Sequence, residues 1–186
     1  MDIGTAIGSV LAAFGLSGAA GLNAWLPLFV SALLHRLDVV ELAAPFDDFA
    51  STTGLIVLAV LTVADFVGDK VPVIDHALHA VGAVIAPVSG ALLFTGSAGS
   101  ESDLPTIVSV ILGALVAGSV HAARATIRPA ATATTAGVAN PAVSLGEDAT
   151  SGVLTALAFL VPILAVLLLA ALVVGLVSVW RRVRRF

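Results

Sequence analysis

Most of the chemistry this sequence offers lies in one short stretch, Asp65-Phe-Val-Gly-Asp69-Lys70-Val-Pro72-Val-Ile-Asp75-His76-Ala-Leu-His79, where six ionisable groups stand between two apolar runs. Asp65 and Asp69 are four apart and share a helix face, as do Asp75 and His79, while Pro72 turns the chain between the two pairs. A charge at bilayer depth costs at least about 2.5 kcal/mol on insertion scales, so such groups pair with one another or line an aqueous path. Carboxylates and imidazoles in that setting bind or relay a proton, a metal or another small cation. A plainer reading is that Asp69 with Lys70, and Asp75 with His76, form interfacial ion pairs that pin helix ends. Asp75, His76 and His79 also offer oxygen and imidazole ligands, with His76 and His79 on one helical face and Asp69 as a further ligand from the neighbouring helix. A divalent metal is therefore a candidate substrate, and no cofactor is expected.

A second polar set follows. His121, Arg124 and Arg128, at spacings of three and four, form a basic stripe that ends at Pro129. Arg124 or Arg128 could bridge Asp65, Asp69, Glu147 or Asp148, since guanidinium pairs well with carboxylate in low dielectric. Glu147 and Asp148 stand in Gly146-Glu-Asp-Ala-Thr-Ser151, ahead of the last apolar run, where negative charge is expected to cap a helix start. Asn23, in Gly15-Leu-Ser-Gly-Ala-Ala-Gly21-Leu-Asn23, and Asn140, in Gly137-Val-Ala-Asn140-Pro141, complete the set of solute- or ion-binding candidates. Each stands where a broken helix would present backbone groups to a solute, and their similar surroundings hint at an internal repeat. The same glycines permit close packing of the small-xxx-small type at Gly15/Ala19 and Ser17/Gly21.

The elements that position these residues belong to a membrane. The chain is 59% hydrophobic and 11% charged, with a mean hydropathy of +1.13, whereas a soluble domain carries about 25% charged residues. Apolar runs exceed the ~20 residues needed to span a bilayer as helix and lack the period-two alternation of a barrel. The expected fold is all-α: one integral membrane domain over 1–186, a polytopic transmembrane helical bundle of about five hydrophobic segments. They cover 3–34, 53–67 extended to 70, 73–94 with Pro87 inside, 105–124, and 152–180 with Pro162 in its first half. The first is too long for one simple span, and its glycines, Asn23 and Pro27 point to a broken helix. Linkers fall at 36–51, 96–103 and 129–151. The last is small, weakly polar and little charged, so it is expected to re-enter the membrane or pack into the bundle.

Arg181, Arg182, Arg184 and Arg185 follow Trp180, an arrangement that places the C-terminus in the cytoplasm by the positive-inside rule. With five crossings Lys70, Arg124 and Arg128 then fall on the outer side; a hairpin in 3–34 would instead bring both termini inside. Asp2 is the only charge before Arg36, which argues against a cleavable signal peptide. The absence of cysteine excludes disulfides, thiolate metal sites and cysteine nucleophiles, and the net charge of −4 offers no surface for nucleic acid. The expected partners are the lipid bilayer, a small ion or solute, and further copies of the chain in a homo-oligomer.

Gly21-Leu-Asn-Ala-Trp-Leu-Pro-Leu28, then Asp69-Lys-Val-Pro-Val-Ile-Asp-His-Ala-Leu78, then the apolar tail ending in arginines, resemble a bacterial membrane family catalogued as domain of unknown function 4126. The resemblance covers almost the whole chain, and Asp69-Lys70-Val71-Pro72-x-x-Asp75-His76 is its specific part. It implies a multi-pass protein of a bacterial cytoplasmic (inner) membrane and supplies no substrate. Three function classes stand beside it: a transporter or channel for a small ion or solute built on the Asp/His/Arg cluster, a structural or assembly protein without flux, and an intramembrane enzyme. The last has no recognisable nucleophile, phosphate loop or metalloprotease spacing in the sequence.

Overall fold

A computed structural model describes residues 3–69, 72–135, 138 and 140–183, with the side chains of 72–77, 79, 100, 127–134 and 182–183 outside that description. The described residues form the helices α1 (Ile3–Leu22), α2 (Trp25–Arg36), α3 (Phe46–Phe49), α4 (Thr52–Gly68), α5 (Pro72–Glu101), α6 (Thr106–Thr135), α7 (Asn140–Leu160) and α8 (Pro162–Val183). Among the described residues there is no strand. Among the described residues, four helical stretches are long and apolar enough to cross a membrane, Ile3–Leu22, Ala80–Gly99, Thr106–Thr126 and Pro162–Arg181, with α4 a shorter apolar helix beside them.

The first hydrophobic segment is a helical hairpin. Helix α1 ends at Leu22, Asn23 and Ala24 interrupt it, and α2 runs back so that Leu28 and Ala32 share one apolar cluster with Ala20, Leu16 and Ala12. The break is local: glycines 15, 18 and 21 are all helical, and their role is packing. A methyl on Gly15 would meet Ala158 and Ala165, and one on Gly21 would meet the Ala117 carbonyl and Val120. Small residues let backbones approach where lipid provides no hydrophobic drive between helices.

The last segment is a second hairpin, where a single span had been expected. A methyl on Gly15 would lie 2.7 Å from the Ala165 Cβ and 3.2 Å from the Ala158 Cβ. Ala158 and Ala165 are therefore within about 6 Å of each other, whereas seven residues of straight helix cover about 10 Å. Pro162, which cannot donate to the helix ladder, starts α8 and permits the turn at Val161. Helix α7 runs antiparallel to α1, with Ser151 bonded to the Ala19 carbonyl and Ala158 beside Gly15. Helix α8 runs parallel to α1, from Ala165 at Gly15 to Leu169 at Gly18. Leu160, Val161, Ile163 and Leu164 at the apex are exposed and apolar, as lipid contact requires.

Helices α5 and α6 form the third antiparallel pair and pack at backbone contact, because Gly90 faces Gly113 and Ala117. Ser17 of α1 donates to the Gly90 carbonyl at 2.9 Å in the same layer. Helix α5 continues through Pro87 to Glu101, so the expected linker 96–103 shrinks to 102–105. Helix α6 passes Pro129 and reaches Thr135, and α7 begins at Asn140, so the expected loop 129–151 is largely helix. That segment does pack into the bundle, with Ser144, Asp148 and Ser151 buried. At one end the 36–51 connection is plugged by Phe46, which is fully buried against Gly96. The opposite end carries Asn23, Asp69, Arg124 and the start of α7.

Candidate functional site

Each helix delivers its polar group to that second end by its own periodicity. On α4, Asp65 stands one turn before Asp69, which ends the helix as its C-cap. On α6, His121 and Arg124 are three apart and both buried. On α7, Ser144, Asp148, Ser151 and Thr155 repeat at four, three and four, and all four are buried on one face. Asn23 comes from the α1–α2 apex.

Arg124 is the centre of the electrostatics. Its guanidinium Nη2 lies 3.7 Å from Asp69 Oδ2, and its Nε lies 3.5 Å from Glu147 Oε2, both ion-pair separations. Ser144 Oγ donates to the same Asp69 oxygen at 3.2 Å. The three side chains thereby tie α4, α6 and α7 together, and Arg124, at 8% exposed, is removed from water. Burying such a triad is costly unless geometry and further hydrogen bonds compensate, which is what Ser144 contributes.

Asn23 makes a second junction. Its Oδ1 accepts from the backbone N–H groups of Trp25 at 3.1 Å and Leu26 at 3.0 Å, capping α2. Its Nδ2 donates to Asp148 Oδ1 at 2.8 Å. Glu147 and Asp148 are thus interior residues of α7 that face Arg124 and Asn23; the expectation that they cap the last span is corrected, because α7 has already begun at Asn140.

Between α1, α2, α4, α5 and α6 lies a cavity of about 200 Å³. Asp65, Asp69, His121 and Arg124 all line it, with Trp25 and Gly82 in its wall. Gly82 makes room for the imidazole: a methyl there would come within 2.7 Å of His121 Cε1. The remaining wall is aliphatic, so the charged groups face one another across a small, largely apolar space. A charge in such a space is stabilised by its partners far more than it would be in bulk water.

Other expected residues are not joined to this cavity by what is described. Asp75, His76 and His79 fall in the first turns of α5 and Arg128 in α6, with side chains outside the description, and Lys70 lies wholly outside it. Among the described residues, no three histidines and carboxylates gather at metal-holding distance. Asn140 is the first residue of α7, so both candidate asparagines stand where a helix sets out from the same end. Arg124 lies at the end where α8 finishes, since Trp180 lines a cleft with Thr126; the expectation that Arg124 and the C-terminus sit on opposite sides is corrected, because each hairpin reverses the chain once more than a straight span would. Sequence reasoning missed Ser144, Trp25 and Gly82. The four-three-four repeat of Ser144, Asp148, Ser151 and Thr155 was the available signal for the first.

Comparison with known families gives a match over residues 10–182 to a family described as domain of unknown function (DUF4126). No curated protein and no solved structure matches the chain.

Proposed function

This chain belongs to the family of domain of unknown function DUF4126, and we propose that within a membrane it carries a small ion or solute, with Asp65, Asp69, His121 and Arg124 along the path. One observation carries the reading: these four side chains, delivered by α4 and α6, converge on a single cavity inside a bundle of membrane-length helices. Ionisable groups at such depth ordinarily mark ion pathways or proton relays. The cavity, at about 200 Å³, is smaller than the ~300–1,000 Å³ typical of drug-sized ligand sites, which favours a small cargo.

The distribution of charge supports an orientation. Of the described arginines, Arg124 and Arg181 lie at one end and Arg36 at the other; acidic residues stand at both ends, Asp65, Asp69, Glu147 and Asp148 beside Arg124 and Asp38, Glu41, Asp47, Asp48, Glu101 and Asp103 opposite, so the orientation rests on the arginines. By the positive-inside rule the Arg124 end and the C-terminus face the cytoplasm, with a bacterial inner membrane as the setting. A structural role without flux is the second reading, and the observation favouring it is that Arg124, Asp69, Ser144 and Glu147 join three helices.

The test is flux of protons and divalent cations into liposomes holding the purified protein, with Asp65→Asn compared at matched incorporation. Asp65 is chosen because Asp69 also holds Arg124. Flux that falls at least tenfold in folded Asp65→Asn supports conduction; absence of wild-type flux across the ion panel overturns ion transport and leaves an organic solute or the structural reading.

A further inference from the structure

A cleft of about 220 Å³ runs between α6 and α8 at the Arg124 end of the bundle. Ala122, Ala123 and Thr126 form one wall, and Leu176, Val177 and Trp180 form the other. The cleft exists because α6 presents alanines opposite the larger side chains of α8, and Val177 at its lip is 38% exposed. Thr126 donates its hydroxyl to the Ala123 carbonyl of its own helix at 2.7 Å, so this wall suits an apolar chain rather than a polar solute.

The mouth of the cleft is positive. Neither flanking helix holds an aspartate or glutamate: α6 carries Arg124 and Arg128, α8 carries Arg181 and Arg182, and the sequence runs on to Arg184 and Arg185. Arg124 is taken up by Asp69 and Glu147 inside the bundle. Arg181 is exposed and stands four residues after Val177, one turn further along the face that forms the cleft, with no ion pair among the described residues. Trp180 beside it marks the membrane–water boundary at the mouth. We propose that this cleft holds an anionic phospholipid, with an acyl chain laid between α6 and α8 and the phosphate on the Arg181 guanidinium. Guanidinium pairs with phosphate through charge-assisted, bidentate hydrogen bonds, and basic residues at the cytoplasmic end of a span attract anionic headgroups. A zwitterionic headgroup carries its own cation and gains less. The cleft shares no lining residue with the Arg124 cavity and holds its lipid whether or not that cavity conducts.

The test uses the full chain in a Trp25→Phe background, where Trp180 is the remaining indole. The protein is reconstituted into phosphatidylcholine bilayers holding rising fractions of brominated phosphatidylglycerol or, in parallel, brominated phosphatidylcholine. Bromine on the acyl chain quenches Trp180 at close range, so fluorescence reports which lipid occupies the cleft. The expected result is half-maximal quenching by the phosphatidylglycerol at a mole fraction about fivefold lower than by the phosphatidylcholine, the preference one basic residue near an anionic headgroup gives. Arg181→Gln should remove most of that preference. Ala123→Leu, which fills the cleft and keeps every arginine, should do the same, and separates a seated lipid from diffuse attraction to the arginine cluster. Arg181→Gln, at an exposed position, serves if Ala123→Leu does not fold. Equal quenching by the two lipids in the Trp25→Phe protein, or a preference unchanged in either folded variant, would overturn the assignment.

Discussion

Replacing Arg124 by methionine removes the cation between Asp69 and Glu147 while keeping an unbranched chain of comparable volume. Unit charges about 4 Å apart attract by about 4 kcal/mol at an effective dielectric near 20, and Arg124 has one partner at 3.7 Å and another at 3.5 Å. Desolvation offsets much of that attraction, so the measurable quantity is the cost of stranding the carboxylates, ~3–5 kcal/mol for a buried pair broken from one side. Two features place the expectation at the lower bound: Ser144 still donates to Asp69, and the Glu147 side chain is 14% exposed and can hydrate. We expect Arg124→Met to lose about 3 kcal/mol. Adding Asp69→Asn to it should recover about 1–2 kcal/mol relative to additive losses, because the stranded charge is then gone. The assay is denaturant unfolding in detergent micelles followed by helical circular dichroism for the wild type, both single variants and the double. A loss under about 1 kcal/mol in Arg124→Met, or strict additivity in the double variant, would refute the argument that Arg124 is the shared counter-charge of this site.

Asn23→Ala removes both the α2 cap and the donor to Asp148, and should cost about 2–3 kcal/mol in the same unfolding assay; Asn23→Asp, which sets a carboxylate where Nδ2 now stands 2.8 Å from Asp148, should cost more. Gly113→Ala would bring a methyl within 2.7 Å of the Phe94 Cβ and should lose about 1–3 kcal/mol, whereas Gly175→Ala, with nothing within 4 Å, should stay within about 0.5 kcal/mol of wild type. Because the chain has no cysteine, single cysteines report topology cleanly. Gly146→Cys and Arg181→Cys should react with a membrane-impermeant maleimide from the same side, and Asp47→Cys from the opposite side; labelling of 146 and 181 from opposite sides would contradict the α7–α8 hairpin.

The sequence by itself determined that this protein is a bundle of membrane helices, because apolar runs of spanning length with 11% charged residues can be satisfied only in lipid, and there only by helix among these patterns. It also brought out Arg124 or Arg128 as a partner for Asp65, Asp69, Glu147 or Asp148, since ionisable residues at the edges of apolar runs pair, and the structure joins Arg124 to Asp69 and Glu147. It did not determine the path of the chain. Whether Asn23 and Pro162 kink their helices or reverse them depends on what packs across the break: Gly15 accepting Ala158 and Ala165 together, and Leu28 and Ala32 returning along Ala20 and Leu16. Hydropathy counts residues in a run and carries no direction, so the first segment stayed open between a broken helix and a hairpin, the last looked like a single span, and the sidedness of Arg124 came out reversed. The role of α7 was likewise decided only in the tertiary structure. Ser144, Glu147 and Asp148 look like loop and cap residues beside an apolar run, and become interior partners because α7 starts earlier and is held against α1 by small side chains.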